Sequence, residues 1–262
     1  MRRSHRAVVA AHAMRRATLA TLLLVRATVA EAFLPRASTF GRVVAVRGSA
    51  EDDDALLQSA GWPGVKDILN QLPTFCVANA EGQPLQYEAD GRPLAMFYTC
   101  VDAAKAELAD AKREYPDLDL DIIPMGLGEA FRLARSGAAV LVPSARSLLA
   151  AGAPPTATPV GQEVPLFCCM EMSQEGPDGG AILPMFMEES ECRDAVAQAA
   201  EADGGAGDDP LEVVGLSLDR AVAQLCQLDR PAFHFVPPRS SMAHIQQYLD
   251  ASGGVQTPAD AL

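Results

Sequence analysis

The sequence predicts an α/β fold of two tandem related strand-helix repeats with pseudo-twofold symmetry, in which a mixed sheet packs against helices. Two observations favour it. The motif LPTFC, Leu72–Cys76, returns 92 residues later as VPLFC, Val164–Cys168, and each motif opens a short apolar run typical of a strand. Three further pairs of motifs follow in the same order, and four matched blocks at a near-constant offset indicate an internal duplication.

The three further pairs share one organisation, in which a strand-like run leads into a helix-like run. Each pair consists of one motif from the first repeat and its counterpart in the second. They are LAMFY, Leu94–Tyr98, with LPMFM, Leu183–Met187; IIPMGLGEAF, Ile122–Phe131, with VVGLSLDRAV, Val213–Val222; and LVPSARSLL, Leu141–Leu149, with FVPPRSSMAHI, Phe235–Ile245. This alignment makes Phe97 and Phe186 matched core positions.

The first 50 residues have the composition of a targeting leader. Two arginines precede a nine-residue apolar run, which is too short to span a membrane, and the small-residue pattern Ala30-Glu31-Ala32 follows it. Residues 1–32 therefore predict a signal peptide that is cleaved between Ala32 and Phe33. Residues 33–50 contain arginine, serine and threonine and no acid, as transit peptides do. A secreted protein with a pro-segment is the alternative.

The body of the chain divides at its changes in composition. Residues 51–71 form an acidic and helical lead-in, residues 72–150 the first repeat, and residues 164–251 the second. Residues 151–163 are a proline-rich linker, and residues 252–262 a C-terminal tail. Ser217 is a good N-cap for the helix in the second repeat, and Gly126 occupies the matched position in the first.

Charge is distributed unevenly between the leader and the body. Residues 1–50 carry nine arginines and one acid, so residues 51–262 carry 12 basic and 33 acidic residues, a net charge of −21. Such a body favours basic partners and argues against nucleic acid. Beyond the leader, no stretch is long and uncharged enough to cross a bilayer, so we expect a soluble protein that is peripheral to a membrane at most.

No grouping of residues in the sequence matches a catalytic or metal-binding pattern. The only histidines beyond the leader, His234 and His244, have a spacing that fits no zinc pattern. GLGEAF at Gly126 lacks the third glycine of a phosphate-binding loop and is better explained as a helix-initiating turn. We therefore expect no catalytic residues, no cofactor, no metal and no enzymatic activity.

Six cysteines occur without a C-x-x-C pair, and their environment predicts buried free thiols rather than disulfides. Cys76 and Cys168 occupy matched strand positions. The adjacent Cys168 and Cys169 are the one suggestion of redox chemistry, but neighbours on a strand point to opposite faces.

The order of the repeat motifs resembles the Tic22 family, a soluble component of the translocon at the inner envelope membrane of chloroplasts. The resemblance covers about Leu72 to Tyr248, with DGRPLAMFY and IIPMGLGEAF among its motifs. It implies a plastid protein between the envelope membranes that escorts precursor proteins and their basic transit peptides to translocon subunits. The leader then resembles the bipartite leader of algal plastids with additional membranes.

An escort needs an adaptable apolar surface within a negative field. Methionine suits such a surface because it is flexible and polarizable. Met170 and Met172 are predicted to share one face of a strand, as are Met185 and Met187, which makes these four the candidate client-binding residues. Two alternatives stay open: a thioredoxin-like redox protein, and a structural adaptor of the translocon without client handling.

Overall fold

The computed structural model describes residues 55–89, 92–176, 179–202, 211–228 and 232–251. The predicted signal peptide, the transit-like segment and the tail from residue 252 lie outside the described residues.

The first half consists of an entry helix followed by strands and helices in alternation. The entry helix α1 belongs to the predicted lead-in, and its Trp62 lies against Phe131 with ring centroids 5.7 Å apart. The elements are α1 (Trp62–Leu69), β1 (Pro73–Asn79), β2 (Gln86–Ala89), β3 (Arg92–Tyr98), α2 (Val101–Glu114), β4 (Leu120–Gly126), α3 (Leu127–Arg135), β5 (Ala139–Val142) and α4 (Ala145–Ala150).

The second half repeats this order without the entry helix. Its elements are β6 (Pro165–Cys168), a single 3-10 turn (Met170–Met172), β7 (Gln174–Glu175), β8 (Ala181–Phe186), α5 (Glu189–Ala202), β9 (Val214–Ser217), α6 (Leu218–Leu225), β10 (Phe233–Val236) and α7 (Arg239–Ala251). The predicted α/β fold with two related halves is therefore confirmed.

Each half forms its own five-stranded sheet, and the two sheets have the same topology. In the first, β3 pairs in parallel with β5 and antiparallel with β1 and β2, while β1 pairs antiparallel with β4. In the second, β8 makes the same contacts with β10, β6 and β7, and β6 pairs with β9. The prediction of mixed pairing is correct, but there are two sheets rather than one.

The strand register corrects one detail of the sequence alignment. Phe75 lies opposite Tyr98, and its counterpart Phe167 lies opposite Phe186. Tyr98 is therefore the structural match of Phe186, and the predicted match of Phe97 with Phe186 is one residue out of register. Since neighbours on a strand face opposite sides, this slip exchanges the two faces of the sheet.

The helix-initiating turns follow the prediction. The backbone N–H of Arg220 donates to Ser217 Oγ, 3.4 Å away, at the start of α6. The matched Gly126 is the N-cap of α3, in extended conformation without a side-chain cap. There, Asn70 Oδ1 accepts a hydrogen bond from the Glu129 N–H at 3.0 Å and supplies the missing cap from α1.

One face of each sheet packs toward the other half. The main core cluster joins α1 and α3 of the first half to α6 and the inner face of the second sheet, with Leu69, Leu127 and Leu218 almost fully buried. Beside it, Arg135 Nη1 of α3 lies 2.9 Å from Asp219 Oδ1 of α6. The halves therefore share one core.

On the opposite face, the halves exchange their last helices. Ser147 of α4 donates from Oγ to the Met187 carbonyl at 2.8 Å, and Ala151 packs against Phe167 and Phe186 of the second sheet. Reciprocally, Ser241 Oγ of α7 accepts from the Val101 N–H at 3.3 Å. The two serines are matched in sequence and each makes a hydrogen bond to the other half, although Ser147 donates and Ser241 accepts.

α7 completes the exchange by covering the first sheet. Ile245 packs against the cluster that contains Phe75 and Tyr98, as its match Ala151 does in the other half. Each sheet therefore has one helix of its own half on the inner face. On the outer face it has its own long helix together with the last helix of the other half.

Candidate functional site

An open groove lies where α7 crosses the first sheet, and we take it as the candidate site. It has a volume of about 240 Å³. Its wall is formed by the turn from α1 into β1, the end of β4, and α7. The lining residues are Asn70, Gln71, Leu72, Pro73, Pro124, Met125, Gly126, Met242 and Ile245. We refer to this feature as the α7 groove.

The floor of the groove is held by the pairing of β1 with β4. Pro73 lies opposite Gly126 in the register, and Thr74 Oγ1 donates to the Met125 carbonyl at 2.9 Å. The Leu127 N–H donates to the Leu72 carbonyl at 2.8 Å and closes the end of the ladder. A side chain on Gly126 would approach Asn70 within 2.6 Å, so glycine is needed for this close passage.

One face of α7 packs against the first half, and the other face is open to solvent. Ser241 is fully buried, and His244 lies edge-on to Phe75 with ring centroids 5.6 Å apart. Met242, between them, is 44% exposed. The groove therefore presents a flexible methionine above a rigid base of prolines, which lack backbone N–H groups and so leave few polar atoms to desolvate.

A charged cluster lies behind the groove, on the α1–α3 contact. Lys66 Nζ lies 2.7 Å from Glu129 Oε2, and Arg132 pairs with the same carboxylate. Hydrogen bonds from Arg132 and Lys66 lower the pKa of Glu129 to about 2. The cluster fixes α1 against α3, and none of its three charged residues lines the groove.

The matched place in the second half is closed. Leu148 of α4 corresponds to Met242 and is 2% exposed. After α4 the chain turns at Gly152, whose φ is +90°, and the Ala153 N–H donates back to the Leu148 carbonyl at 3.0 Å. Ala153 is itself buried. The linker thus begins by lying against the end of the helix.

The four methionines predicted from sequence do not form a surface together. Met185 and Met187 share a face, as expected, but both are buried in the main core cluster. Met170 and Met172 lie in the 3-10 turn rather than on a strand, because β6 ends at Cys168, and Met170 packs against the same core. Met242 is instead the exposed methionine at the α7 groove, and Met125, which also lines it, packs against the cluster that contains Cys76 and Phe97 on the inner face of the first sheet.

The thiols sit in apolar surroundings. All six cysteines are free, and all but Cys226 are buried. Burial raises the pKa of Cys76 and Cys192 to about 11 and that of Cys168 to about 12. Burial likewise raises the pKa of Cys169, whose Sγ donates to Glu171 Oε2 at 3.3 Å. Such thiols stay protonated at neutral pH and are poor nucleophiles.

Within the residues that the structure describes, no group of three His, Cys, Asp or Glu side chains is placed to hold a metal ion. Across the same residues, no helix combines the length and apolarity that a membrane span requires. The predicted cleavage between Ala32 and Phe33 falls outside the described residues.

Comparison with known proteins gives a clear result for the fold. No family model matches the chain, and no characterised protein matches it by sequence. Among solved structures, Tic22 from Plasmodium falciparum is similar, with a TM-score of 0.55 and 16% identity, over 71% of this chain and 98% of that one. The chain has the Tic22 fold. Tic22 from Anabaena, described as a protein-transport protein, is similar at a TM-score of 0.50 and 16% identity, over 71% of this chain and 96% of that one.

The similarity spans 71% of this chain and nearly all of each solved structure. The resemblance inferred from the repeat motifs is therefore confirmed at the level of the fold, although identity is too low for a sequence search to find it. The sequence carried one signal for the α7 groove. At matched helix positions the second repeat has methionine, Met242, where the first has leucine, Leu148.

Proposed function

We propose that this protein is a Tic22-like, non-catalytic component of plastid protein import that holds apolar segments of unfolded precursors in the α7 groove. The observation that carries the proposal is an open, methionine-flanked groove on a Tic22 fold. The place of action would be an intermembrane space of the plastid envelope. The partners would be precursor proteins, their basic transit peptides and translocon subunits.

The shape of the groove supports a peptide ligand over a cofactor. Pockets for small molecules have volumes of about 300–1,000 Å³ and bury most of the ligand. The α7 groove, at about 240 Å³, is smaller and open along α7. It therefore suits one or two apolar side chains of a longer chain, and flexible Met242 accepts different ones.

The negative charge of the body of the chain supports the proposal of a basic partner. The body carries a net charge of −21, which would attract transit peptides rich in arginine. We expect the association rate with a basic precursor peptide to fall several-fold as salt rises from about 0.05 to 0.5 M, because the Debye length shortens. Stopped-flow measurement checks this, and a rate indifferent to ionic strength contradicts the electrostatic part.

The decisive experiment measures how well the purified protein suppresses aggregation of an unfolded apolar client. Met242→Asp places a charge in the groove and should abolish most of the suppression. Leu149→Asp is the matched control, because Leu149 is similarly exposed, at 49%, on the matched helix but outside the groove. Equal activity of the two variants would exclude the groove as the client site.

Two alternative functions predict different results. A structural adaptor would bind translocon subunits and suppress no aggregation. A thioredoxin-like protein would lose activity on Cys168→Ser or Cys169→Ser, whereas a binding protein would not. The raised pKa of both thiols favours binding over redox chemistry.

A further inference from the structure

We propose that the outer edge of β9 binds an extended segment of a basic polypeptide as an additional strand of the second sheet. In such strand addition, main-chain hydrogen bonds supply affinity and the side chains at alternate positions supply selectivity. None of the β9 residues lines the α7 groove, so this site goes beyond the proposed function and does not depend on it.

β9 is the last strand of the second sheet, and its outer edge pairs with no other described strand. Its ladder with β6 continues into the hydrogen bond from the Leu218 N–H to the Val164 carbonyl at 2.8 Å. Residues of an antiparallel strand alternate between bonding toward the partner strand and pointing away from it, so Leu216 also bonds toward β6. Gly215 and Ser217 therefore direct their backbone groups away from β6, to the outer edge.

The outer edge offers three main-chain groups to a partner. These are the N–H and carbonyl of Gly215 and the N–H of Ser217, and no described residue hydrogen-bonds to any of them. Gly215 is exposed, and the nearest atom to a Cβ added there would be the Leu166 carbonyl oxygen, 3.9 Å away. Glycine inside a strand is typical of a place where a second backbone approaches closely. An extended chain can therefore reach this edge and hydrogen-bond to all three groups.

The matched edge of the first sheet is blocked. The same alternation leaves Ile122 and Pro124 of β4 facing away from β1. Pro124 has no N–H, and the N–H of Ile122 donates to Asp121 Oδ1 at 2.8 Å. Prolines and charged side chains are the usual protection of an edge strand against further pairing. In the second half, Gly215 stands at the position of Pro124, so the edge of β9 lacks the proline that protects the edge of β4.

Charge identifies the partner as basic. The body of the chain carries a net charge of −21, so a second copy brought edge to edge is repelled, whereas a polypeptide rich in arginine or lysine is attracted. Glu212, two residues before β9, is exposed and negative. The exposed Arg220 lies past the other end of the strand, in the first turn of α6. We therefore expect a basic side chain of the partner beside Glu212.

The first test measures amide hydrogen exchange of the full chain by NMR, with and without a peptide of about six residues in which valine alternates with arginine. In the free protein, the Gly215 and Ser217 amides should exchange fast, and the Leu216 amide, which bonds to β6, should exchange slowly. Saturating peptide should slow exchange at Gly215 and Ser217 by about tenfold or more and leave Leu216 unchanged. A Gly215 amide that is as slow as Leu216 in the free protein, or that the peptide does not protect, would overturn the proposal.

Two substitutions of the same residue separate the hydrogen bond from the space around it. Gly215→Pro gives β9 the proline that β4 has, and it should weaken peptide binding by about tenfold because one outward N–H is lost. Gly215→Ala keeps the N–H and has room for its methyl group, so it should bind the peptide as the parent protein does. Equal binding by a Gly215→Pro protein that unfolds cooperatively on heating would overturn the proposal. If Gly215→Pro does not fold, the exchange measurement decides alone.

Two controls test the identity of the partner. A peptide in which valine alternates with glutamate offers the same backbone and should bind about tenfold more weakly or less, because the body of the chain is negative. Equal binding of the two peptides would overturn the assignment of a basic partner. Protection of Gly215 that rises with protein concentration in the absence of peptide would show that a second copy occupies the edge, and would overturn it as well.

Met242→Asp separates this inference from the proposed function. The substitution lies in the α7 groove, so it should abolish most of the suppression of client aggregation and leave the protection of Gly215 by the peptide unchanged. If the peptide protects Gly215 and the parent protein suppresses no aggregation, the proposed function fails and the edge site stands. If the parent protein suppresses aggregation and the peptide does not protect Gly215, only the edge site fails.

Discussion

The outer faces of the two sheets have the same topology and the same exchanged-helix packing, yet one is closed and the other is open. Over the second sheet, the short helix α4 ends at Ala150 and the chain folds back against it. Over the first sheet, α7 continues for 13 residues and leaves a groove beside Met242. The comparison shows that the two halves have similar core contacts, whereas the last helix is longer in the second half and the α7 groove lies beside it.

The largest expected effect is a difference in stability between variants of the two matched residues Leu148 and Met242. Leu148→Ala should lower the free energy of unfolding by about 2–5 kcal/mol, because it leaves a cavity in a packed site. Met242→Ala at the matched position should cost less than about 1 kcal/mol, since that side chain is open to solvent. Urea denaturation measures both. Similar losses would mean that the two faces are equally packed.

A smaller effect distinguishes the close helix contact that only the first half has. Gly128→Ala should cost about 1–3 kcal/mol, because the added carbon would lie 2.4 Å from the Lys66 carbonyl oxygen and would separate α3 from α1. Gly215→Ala in the second half should change stability by less than about 0.5 kcal/mol, since its nearest neighbour would be 3.9 Å away. Thermal unfolding of both variants provides the check, and a stable Gly128→Ala protein would contradict this packing.

Ser147 and Ser241, one in each exchanged helix, allow the contribution of corresponding contacts in the two halves to be compared. Ser147→Ala removes the donor to the Met187 carbonyl, and Ser241→Ala removes the acceptor of the Val101 N–H. Each change leaves a buried backbone group without its serine partner, and we expect losses of about 1–2 kcal/mol that are equal within error. Chemical denaturation of the single variants is sufficient. A loss in one half alone would show that the exchange is not symmetric in energy.

The smallest effect concerns the charged cluster behind the groove, whose carboxylate Glu129 is matched by Arg220 in the second half. The pKa of Glu129 is lowered, so its contribution is present above about pH 4.5 and is lost as the pH falls toward 2. The side chain is one-third exposed, so Glu129→Gln should cost less than about 1 kcal/mol at pH 6. The difference from the parent protein should narrow as the pH falls below 4.5, and a constant difference would exclude the ion cluster as its origin.

Much of the fold follows from the sequence, because matched motifs report local structure. The strand that contains TFCVA, the helix after Ser217 and the pairing of the two repeats are all readable from periodicity and caps. The register slip at Phe97 was not readable, because LAMFY and LPMFM share Leu, Met and Phe in the unshifted alignment, whereas the strand pairing matches Tyr98 with Phe186. The strand predicted over LFCCMEM ends early because Cys169 caps a 3-10 turn.

The site was less predictable for a physical reason. Periodicity identifies the apolar face of a helix but not the sheet that this face will cover, so the exchange of α4 and α7 is invisible in sequence. Met185 and Met187 alternate as surface residues of a strand would, but α6 covers that face and buries them. Met242 belongs to the second repeat and reaches the groove beside the first sheet only through the exchange.

The exchange also constrains synthesis. Phe75 and Tyr98 lie in strands that leave the ribosome early, but Ile245 of α7, which packs over them, is made 103 residues after β5 ends at Val142 (245 − 142). At about 5–20 residues per second, the first sheet waits roughly 5–20 s with α2 alone on its outer face. A nascent first half therefore exposes the part of its apolar outer face that α7 covers until the last helix of the second half is made.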